Sequence, residues 1–197
     1  MATKEIAVGK DLTIVQEILL NAMDQIHRIC EENDIVYYLI GGSALGAVRH
    51  KGFIPWDVDI DIAMHRKDYE KFAEIAERKL PLGLSFHNHK NTRNYYRPHA
   101  TVSIDNVCAL INSDYYRKVK AEKLFIDIFP LDNAPDDEML RQKQAQELKH
   151  LVKIHSRKEC VLYKRNTPIQ IAIKKMIQCV LLPYSLQHLE AKRDAIM

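Results

Sequence analysis

The alternation of apolar and polar positions divides the chain into helices and strands. Apolar side chains recur every three or four residues from Leu12 to Cys30 and from Arg66 to Leu80, which predicts two amphipathic helices. Runs rich in β-branched and aromatic residues predict strands at 35–40 and in the segments HATVSI, VCALI and KLFIDIFPLD. Helices that alternate with mixed strands indicate an α/β (α+β) domain, with a mixed β-sheet flanked by helices.

The last third of the chain has a purely helical pattern. Residues 136–163 predict a charged helix, and residues 168–182 predict a second helix that is unusually apolar. We therefore predict a sheet-containing core over residues 1–135 and a helical C-terminal extension over residues 136–197. The apolar helix has Lys174 and Lys175 away from its apolar face, which fits either contact with a membrane surface or a core-covering or dimer helix.

Three aspartates occupy alternate positions of an apolar run, WDVDIDIAM. If this run is a strand, its side-chain period of two places Asp57, Asp59 and Asp61 on one face. Like charges on one face repel, so either the face is a solvated edge or a cation lies there. Asp127 repeats the pattern inside the strand LFIDIF. If the two strands are neighbours, the converging carboxylates form an oxygen site suited to Mg²⁺, and Mn²⁺ accepts the same ligands.

A glycine-rich turn precedes the aspartates. Gly41, Gly42 and Ser43 connect a predicted strand to a short helix predicted over residues 43–50. The backbone N–H groups at the start of a helix favour a bound anion. An anion site beside a metal site predicts phosphoryl chemistry.

Other polar and aromatic residues allow two interpretations each. Arg49 is a candidate to clamp a phosphate through its guanidinium group, or it is a solvated residue at a helix end. Trp56 either packs under the site or stacks on a base or a quaternary ammonium group. For His87, His89 and His99 we favour ordinary structural roles, because alternation in a strand explains the first two without a ligand.

Composition restricts the possible partners and the compartment. The formal net charge of +3, from 29 basic and 26 acidic side chains, is too small to indicate a nucleic acid polymer as the main partner. Four widely spaced cysteines without a C-x-x-C pair indicate a reduced chain rather than a disulfide framework or a zinc site. We see neither a signal peptide nor a window long and apolar enough to span a membrane, so we expect a cytoplasmic protein.

Two separated blocks carry a family resemblance. The long block GGSALGAVRHKGFIPWDVDIDIAMHRKDYEKF and the distant block IDIFPLD resemble, almost residue for residue, the LicD family of the DNA polymerase β-type nucleotidyltransferase superfamily. The likeness extends from about Leu12 to Asp132. It implies a nucleotidyltransferase-like catalytic core over residues 1–135.

The resemblance also implies roles for individual residues. Asp59, Asp61 and Asp127 would be the catalytic and metal-binding carboxylates, and Gly42 and Ser43 would contact the nucleotide phosphates. The common family pattern has Asp where this chain has Val58. The Val58 side chain would point away from the metal face of the strand, although the change leaves the role of Asp57 less certain.

The resemblance further implies a reaction. LicD family proteins are linked to transfer of phosphocholine from CDP-choline onto cell-surface glycans, and fukutin-type relatives move phosphoribitol from a CDP-alditol. We therefore expect a metal-dependent transferase that uses CDP-choline or another CDP-alcohol and a glycan or lipid-linked glycan acceptor, at the inner face of the membrane if residues 168–182 touch lipid. Two alternatives remain: a nucleotidyltransferase that moves NMP from an NTP, and a non-catalytic binding module of the same fold.

Overall fold

A computed structural model describes residues 4–7, 12–93, 95, 97–111, 120–159, 166–180 and 186–196. The described strands are β1 (Lys4–Ala7), β2 (Tyr38–Leu39), β3 (Asp61–His65), β4 (Leu84–His87), β5 (Ala100–Ile111) and β6 (Lys120–Leu131). The described helices are α1 (Leu12–Glu32), α2 (Gly41–His50), α3 (Arg66–Lys79), α4 (Glu138–Glu159), α5 (Pro168–Val180) and α6 (Leu186–Ile196). These elements confirm the predicted α/β (α+β) class.

The chain forms two compact units. The first contains all of the described strands together with α1, α2 and α3, and the second contains α4, α5, α6 and the segment Asn88–Pro98. In the first unit the strands form one six-stranded sheet in the order β1-β5-β6-β3-β2, with β4 paired to β5. The β1–β5 and β3–β6 pairs are parallel and the other pairs are antiparallel, so the sheet is mixed.

The core of the first unit lies between one face of the sheet and the apolar stripes of the helices. Val15, Leu19 and Ile26 of α1 are fully buried, as the three- and four-residue spacing predicts. From α3, Tyr69, Phe72 and Ala76 are buried. Burial of each large apolar side chain contributes about 1.5–3 kcal/mol, so these stripes fix both helices on the sheet. The two amphipathic helices predicted from periodicity, α1 and α3, are confirmed.

The aspartate run differs from the prediction. Only Asp61 lies in a strand, because β3 begins at this residue, and positions 57–60 have no regular secondary structure. A turn at Pro55 and Trp56 precedes Asp57 and interrupts the extended run, since the Asp57 N–H donates to the carbonyl oxygen of Ile54 at 2.9 Å. The prediction of a single strand that carries three stacked carboxylates is therefore wrong. The chain still joins the sheet at Ile60, whose carbonyl oxygen accepts the Asp127 N–H at 3.0 Å.

The boundaries of other predicted helices and strands also differ in the structure. The strand predicted at 35–40 shrinks to β2, because β3 offers partners only to Tyr38 and Leu39. The helix predicted over 43–50 begins two residues earlier, at Gly41. The segments HATVSI, except its first residue His99, and VCALI belong to one long strand, β5, which has an irregular register against β6 between Ser103 and Cys108.

The regular secondary structure described in the second unit consists of helices α4, α5 and α6. Helices α4 and α5 confirm the two predicted helices, while the predicted ends at 160–163 and 181–182 lie outside the described residues. The Arg193 guanidinium donates to the carbonyl oxygen of Pro98, which ties α6 to the segment that precedes β5. The proposed boundary between residues 135 and 136 stays a prediction. None of the described helices combines the length and the apolarity needed to cross a bilayer.

The described cysteines are free thiols. Cys30 is buried, Cys108 is half-buried and Cys179 is exposed, while Cys160 lies outside the described residues. Burial raises the pKa of the Cys30 thiol to about 12, so this group is a protonated core side chain at neutral pH.

Candidate functional site

The first turn of α2 is hydrogen-bonded to the start of β3. Ile40, in an extended conformation, precedes the helix, and its N–H donates to the carbonyl oxygen of Asp61 at 3.1 Å. The Ser43 Oγ accepts the Asp61 N–H at 2.9 Å. Both backbone groups of Asp61 are therefore held by residues at the beginning of α2, which fixes the helix N-terminus beside this carboxylate.

Asp61 and Asp127 are direct neighbours on adjacent strands. They lie opposite each other in the parallel β3–β6 pair. The flanking residues, Ile62 and Ile128, are fully buried on the core side, so the two aspartates lie on the other face. The sequence prediction that Asp127 lies near the aspartate run is correct at this position.

Gly41 and Gly42 allow the carboxylates to lie unusually close to the helix. A Cβ atom at Gly42 would lie 2.6 Å from the Asp57 Oδ2, and a Cβ atom at Gly41 would lie 3.2 Å from the Asp61 Oδ2. Gly41 also has a φ of +55°, a conformation that glycine adopts without steric cost. The glycine pair is therefore required both by the backbone turn and by the approach of two acidic side chains.

The electrostatics of the cluster reveal an excess of negative charge. Burial, a hydrogen bond with Asp57 and the charges of the other three aspartates raise the pKa of Asp59 to about 7. Burial and the charge of Asp127 also raise the pKa of Asp61, while His99 acts in the opposite direction. Four carboxylates in mutual repulsion form a site that would gain from a bound cation.

The segment between Ile54 and Asp61 supports the cluster from outside the sheet. The Asp57 Oδ1 accepts the Val58 N–H at 3.1 Å, and the Gln16 side chain donates to the Asp57 carbonyl oxygen at 2.8 Å. Val58 packs against the hydrophobic core, so its side chain points away from the carboxylates as predicted. The substitution of Asp by Val at this position therefore removes no oxygen from the cluster.

His99 lies next to the carboxylate cluster, although from the sequence we favoured an ordinary structural role for it. Its Nε2 lies 2.8 Å from the Asp127 Oδ1, and both side chains are largely buried. Its ring stacks on Phe129 with a centroid distance of 4.2 Å. A lone histidine just before a strand carries no spacing signal, so only the pairing of β5 with β6 reveals this contact.

Two other predicted site residues, Arg49 and Trp56, have exposed side chains. Arg49 is exposed in the last turn of α2, seven residues beyond Gly42, which corresponds to about 10 Å along the helix axis. Trp56 is 75% exposed, so the interpretation that it packs under the site is wrong. Its alternative role, stacking on a substrate, stays a prediction.

Ser43 also lines a cavity of about 530 Å³. Most of its walls are apolar and come from α1, β2, α2 and the loop that follows α2, with Asp24, His27 and Tyr37 on one side. This volume is within the range of small-molecule binding sites. The first unit therefore has a ligand-sized space that reaches Ser43, whose hydroxyl is hydrogen-bonded to the Asp61 backbone.

The cluster fits a divalent metal ion in its chemistry. Asp59, Asp61 and Asp127 supply hard oxygen donors, and burial together with the neighbouring negative charges raises the pKa of Asp59. Across the residues that the structure describes, no three His, Cys, Asp or Glu side chains already have the arrangement of a metal site. Binding an ion would therefore require Asp59 and Asp61 to move towards Asp127.

Comparisons with known proteins show what the chain is similar to. Residues 34–160 match the family described as LicD/FKTN/FKRP, nucleotidyltransferase domain. The chain is 34% identical over 130 residues to the lipopolysaccharide cholinephosphotransferase LicD of Haemophilus influenzae, an alignment that covers 65% of this chain and 48% of that protein. The chain thus spans about half the length of this relative.

A shorter similarity extends to mammals. Over 40 residues the chain is 45% identical to the human ribitol 5-phosphate transferase FKRP, covering 20% of this chain and 8% of that protein. An uncharacterised protein of Rickettsia prowazekii is 29% identical over 120 residues, which are 60% of this chain and 40% of that protein. The family match covers well over half of the chain and includes every aspartate of the cluster, so the protein belongs to the LicD/FKTN/FKRP nucleotidyltransferase family.

Proposed function

We propose that the protein is a metal-dependent transferase that moves a phosphoalcohol group, most simply phosphocholine, from a CDP-linked donor to a hydroxyl of a cell-surface glycan or its precursor. The observation that carries this proposal is the pairing of Asp61 with Asp127 beside the glycine-initiated helix α2. The site thus combines anionic metal ligands with backbone N–H groups that favour a phosphate.

The proposed roles follow from position. Asp59, Asp61 and Asp127 would hold Mg²⁺, or Mn²⁺ in its place. When bound, the ion would supply charge stabilisation to the phosphoryl oxygens. The N–H groups at Gly42 and Ser43 would orient the diphosphate at the helix N-terminus.

The reaction itself is a displacement at the outer phosphorus of the donor. The acceptor hydroxyl oxygen forms a bond to this phosphorus, the bond to the bridging oxygen breaks, and CMP leaves. Asp127 would take the hydroxyl proton as general base. The products are CMP and the phosphoalcohol ester of the acceptor, so atoms and charge balance without a redox partner.

The relatives suggest the substrate class. The Haemophilus influenzae relative is a lipopolysaccharide cholinephosphotransferase, and the human relative is a ribitol 5-phosphate transferase. Both names describe transfer of an alcohol phosphate, which favours a CDP-alcohol over an NTP as the donor here. The use of a CDP-linked metabolite also leads us to place the reaction in the cytoplasm.

Incubation with a panel of donors tests the proposal. CDP-choline, CDP-ribitol, CDP-glycerol, ATP and CTP are each supplied with Mg²⁺ and a glycan acceptor, and products are separated by liquid chromatography with mass detection. We expect CMP release and a phosphoalcohol adduct from one CDP-alcohol, and no reaction when Mg²⁺ is chelated. Pyrophosphate release from an NTP would instead support the nucleotidyltransferase alternative. Absence of any product, with ligand binding retained, would support a binding module.

Helix α5 suggests how the protein meets a lipid-linked acceptor. Large apolar side chains spaced for one helical face are 47–73% exposed: Ile169, Ile173, Met176 and Val180. Helical geometry places Lys174 and Lys175 on opposite flanks of this stripe, and the helix contains no acidic residue. Because basic flanks match anionic head groups, we propose that α5 lies on an anionic membrane surface.

Co-sedimentation with vesicles tests this surface. We expect binding to phosphatidylcholine vesicles that contain about one third phosphatidylserine, and loss of most binding when Ile173 and Met176 are both changed to Gln, because burial of these side chains drives insertion. Met139→Gln is the matched control, since Met139 is 80% exposed on α4. Unchanged binding of the double variant would overturn the proposal. So would a wild-type dimer that the double variant converts to a monomer.

A further inference from the structure

The contact between His99 and Asp127 defines how one proposed metal ligand is presented. Asp127 has two carboxylate oxygens, and Oδ1 lies 2.8 Å from the His99 Nε2. A carboxylate oxygen accepts hydrogen bonds, so the imidazole donates from Nε2. The hydrogen bond uses one lone pair of Oδ1, which leaves Oδ2 for a cation and the second lone pair of Oδ1 for the proton of an acceptor hydroxyl.

The surroundings hold the histidine in place. Its side chain is 11% exposed, and that of Asp127 is 13% exposed. The ring of Phe129, two residues after Asp127 on the same strand face, lies against the imidazole with an interplanar angle of 36°. Burial and stacking limit the rotation of both partners, so the direction of the hydrogen bond is fixed by the sheet.

We propose that His99 is a positioning residue, which holds the Asp127 Oδ1 so that Asp127 offers a divalent cation only its Oδ2. The inference rests on the proposed function, because it assumes that Asp127 is a metal ligand. Partners of this kind set the orientation of metal-binding side chains and strengthen metal affinity. A single fixed oxygen from β6 also leaves coordination positions for Asp59, Asp61 and substrate oxygens.

Metal affinity provides a test that does not depend on turnover. Free Mn²⁺ is counted by electron paramagnetic resonance as it is titrated into wild type, His99→Leu and His99→Gln. We expect His99→Leu to weaken Mn²⁺ binding about tenfold or more, since loss of such a partner typically costs 10–100-fold. The glutamine amide retains a donor at similar reach, so His99→Gln should stay within about threefold of wild type.

His65→Leu is the matched control. His65 lies on the same strand as Asp61, is exposed, and makes an edge contact with Tyr38. This substitution removes an imidazole from the sheet without touching Asp127, so Mn²⁺ affinity should not change. Thermal unfolding of every variant checks the fold, and His99→Gln keeps the test decisive if His99→Leu fails to fold.

The outcomes separate the two proposals. If wild type and His99→Leu bind Mn²⁺ equally well, the role of His99 is overturned and the proposed function still stands. An equal loss in His99→Leu and His99→Gln also overturns the positioning role, because the retained donor should rescue affinity. Wild type that binds no Mn²⁺ overturns the metal site, and the role of His99 with it.

Discussion

Replacement of Asp61 by Asn is expected to abolish phosphoalcohol transfer and to raise the melting temperature of the metal-free protein. The substitution keeps the shape of the side chain but removes one of four repelling charges, which act together with burial to raise the pKa of Asp59 and Asp61. Loss of a metal ligand removes several kcal/mol of transition-state stabilisation, so turnover should fall at least about 10³-fold. CMP release and thermal unfolding without metal measure the two effects.

The opposite signs of these effects make the prediction specific. A residue important only for folding would lower both activity and stability when changed. Addition of Mg²⁺ should raise the melting temperature of wild type through binding to the native state, and this rise should be much smaller in Asp61→Asn. Glu74→Gln, an exposed acid-to-amide change on α3, is the control and should change none of these quantities. Near-normal turnover of Asp61→Asn would contradict the assigned role.

Gly42→Ala is expected to reduce kcat/KM for the donor about 10²-fold with little loss of stability. The new Cβ atom would lie 2.6 Å from the Asp57 Oδ2, which is the free end of a movable side chain. The carboxylate must therefore swing away, disturbing Asp59 and crowding the N–H groups offered to phosphate. A displacement of about 1 Å at a reacting site can cost such a factor. Steady-state kinetics over a range of donor concentrations measure the loss.

Gly46→Ala provides the contrasting control on the same helix. Its Cβ atom would meet backbone rather than a side chain, at 2.5 Å from the Gly52 carbonyl oxygen and 3.0 Å from the Ile54 nitrogen. Overpacking against backbone costs about 1–3 kcal/mol, which corresponds to a fall in melting temperature of about 5 °C. If both variants lost stability equally, the effect at Gly42 would be one of packing, and its proposed link to phosphate would be wrong.

The spacing of apolar residues predicted the helices well, because a helix is stabilised by side chains that lie within a few turns of one another. Helices α1 and α3 occupy nearly the predicted residues because their apolar stripes contact the core directly. The strands were harder to predict, because a strand ends where its partner ends. Residues 35–40 have the composition of a strand, yet only Tyr38 and Leu39 find partners on the short strand β3.

The acidic part of the candidate site could be predicted because its spacing and its two blocks are visible in the sequence. The precise geometry could not, since the turn at Pro55 removes Asp57 and Asp59 from the strand. His99 was missed because its contact with Asp127 arises from the antiparallel pairing of β5 with β6, which leaves no pattern near His99 itself. Of the two interpretations of Trp56, packing under the site was wrong, since the chemistry of the side chain suits burial but its position in an exposed turn does not.

The parallel pairing of β3 with β6 has a consequence for how the protein matures. The acidic groups on these strands are separated along the chain by α3, β4 and β5, and they become neighbours only when β3 pairs with β6. Such non-local pairing is slow to form. A nascent or damaged chain would therefore have little affinity for divalent ions, and cellular magnesium would act as a selective ligand for finished molecules.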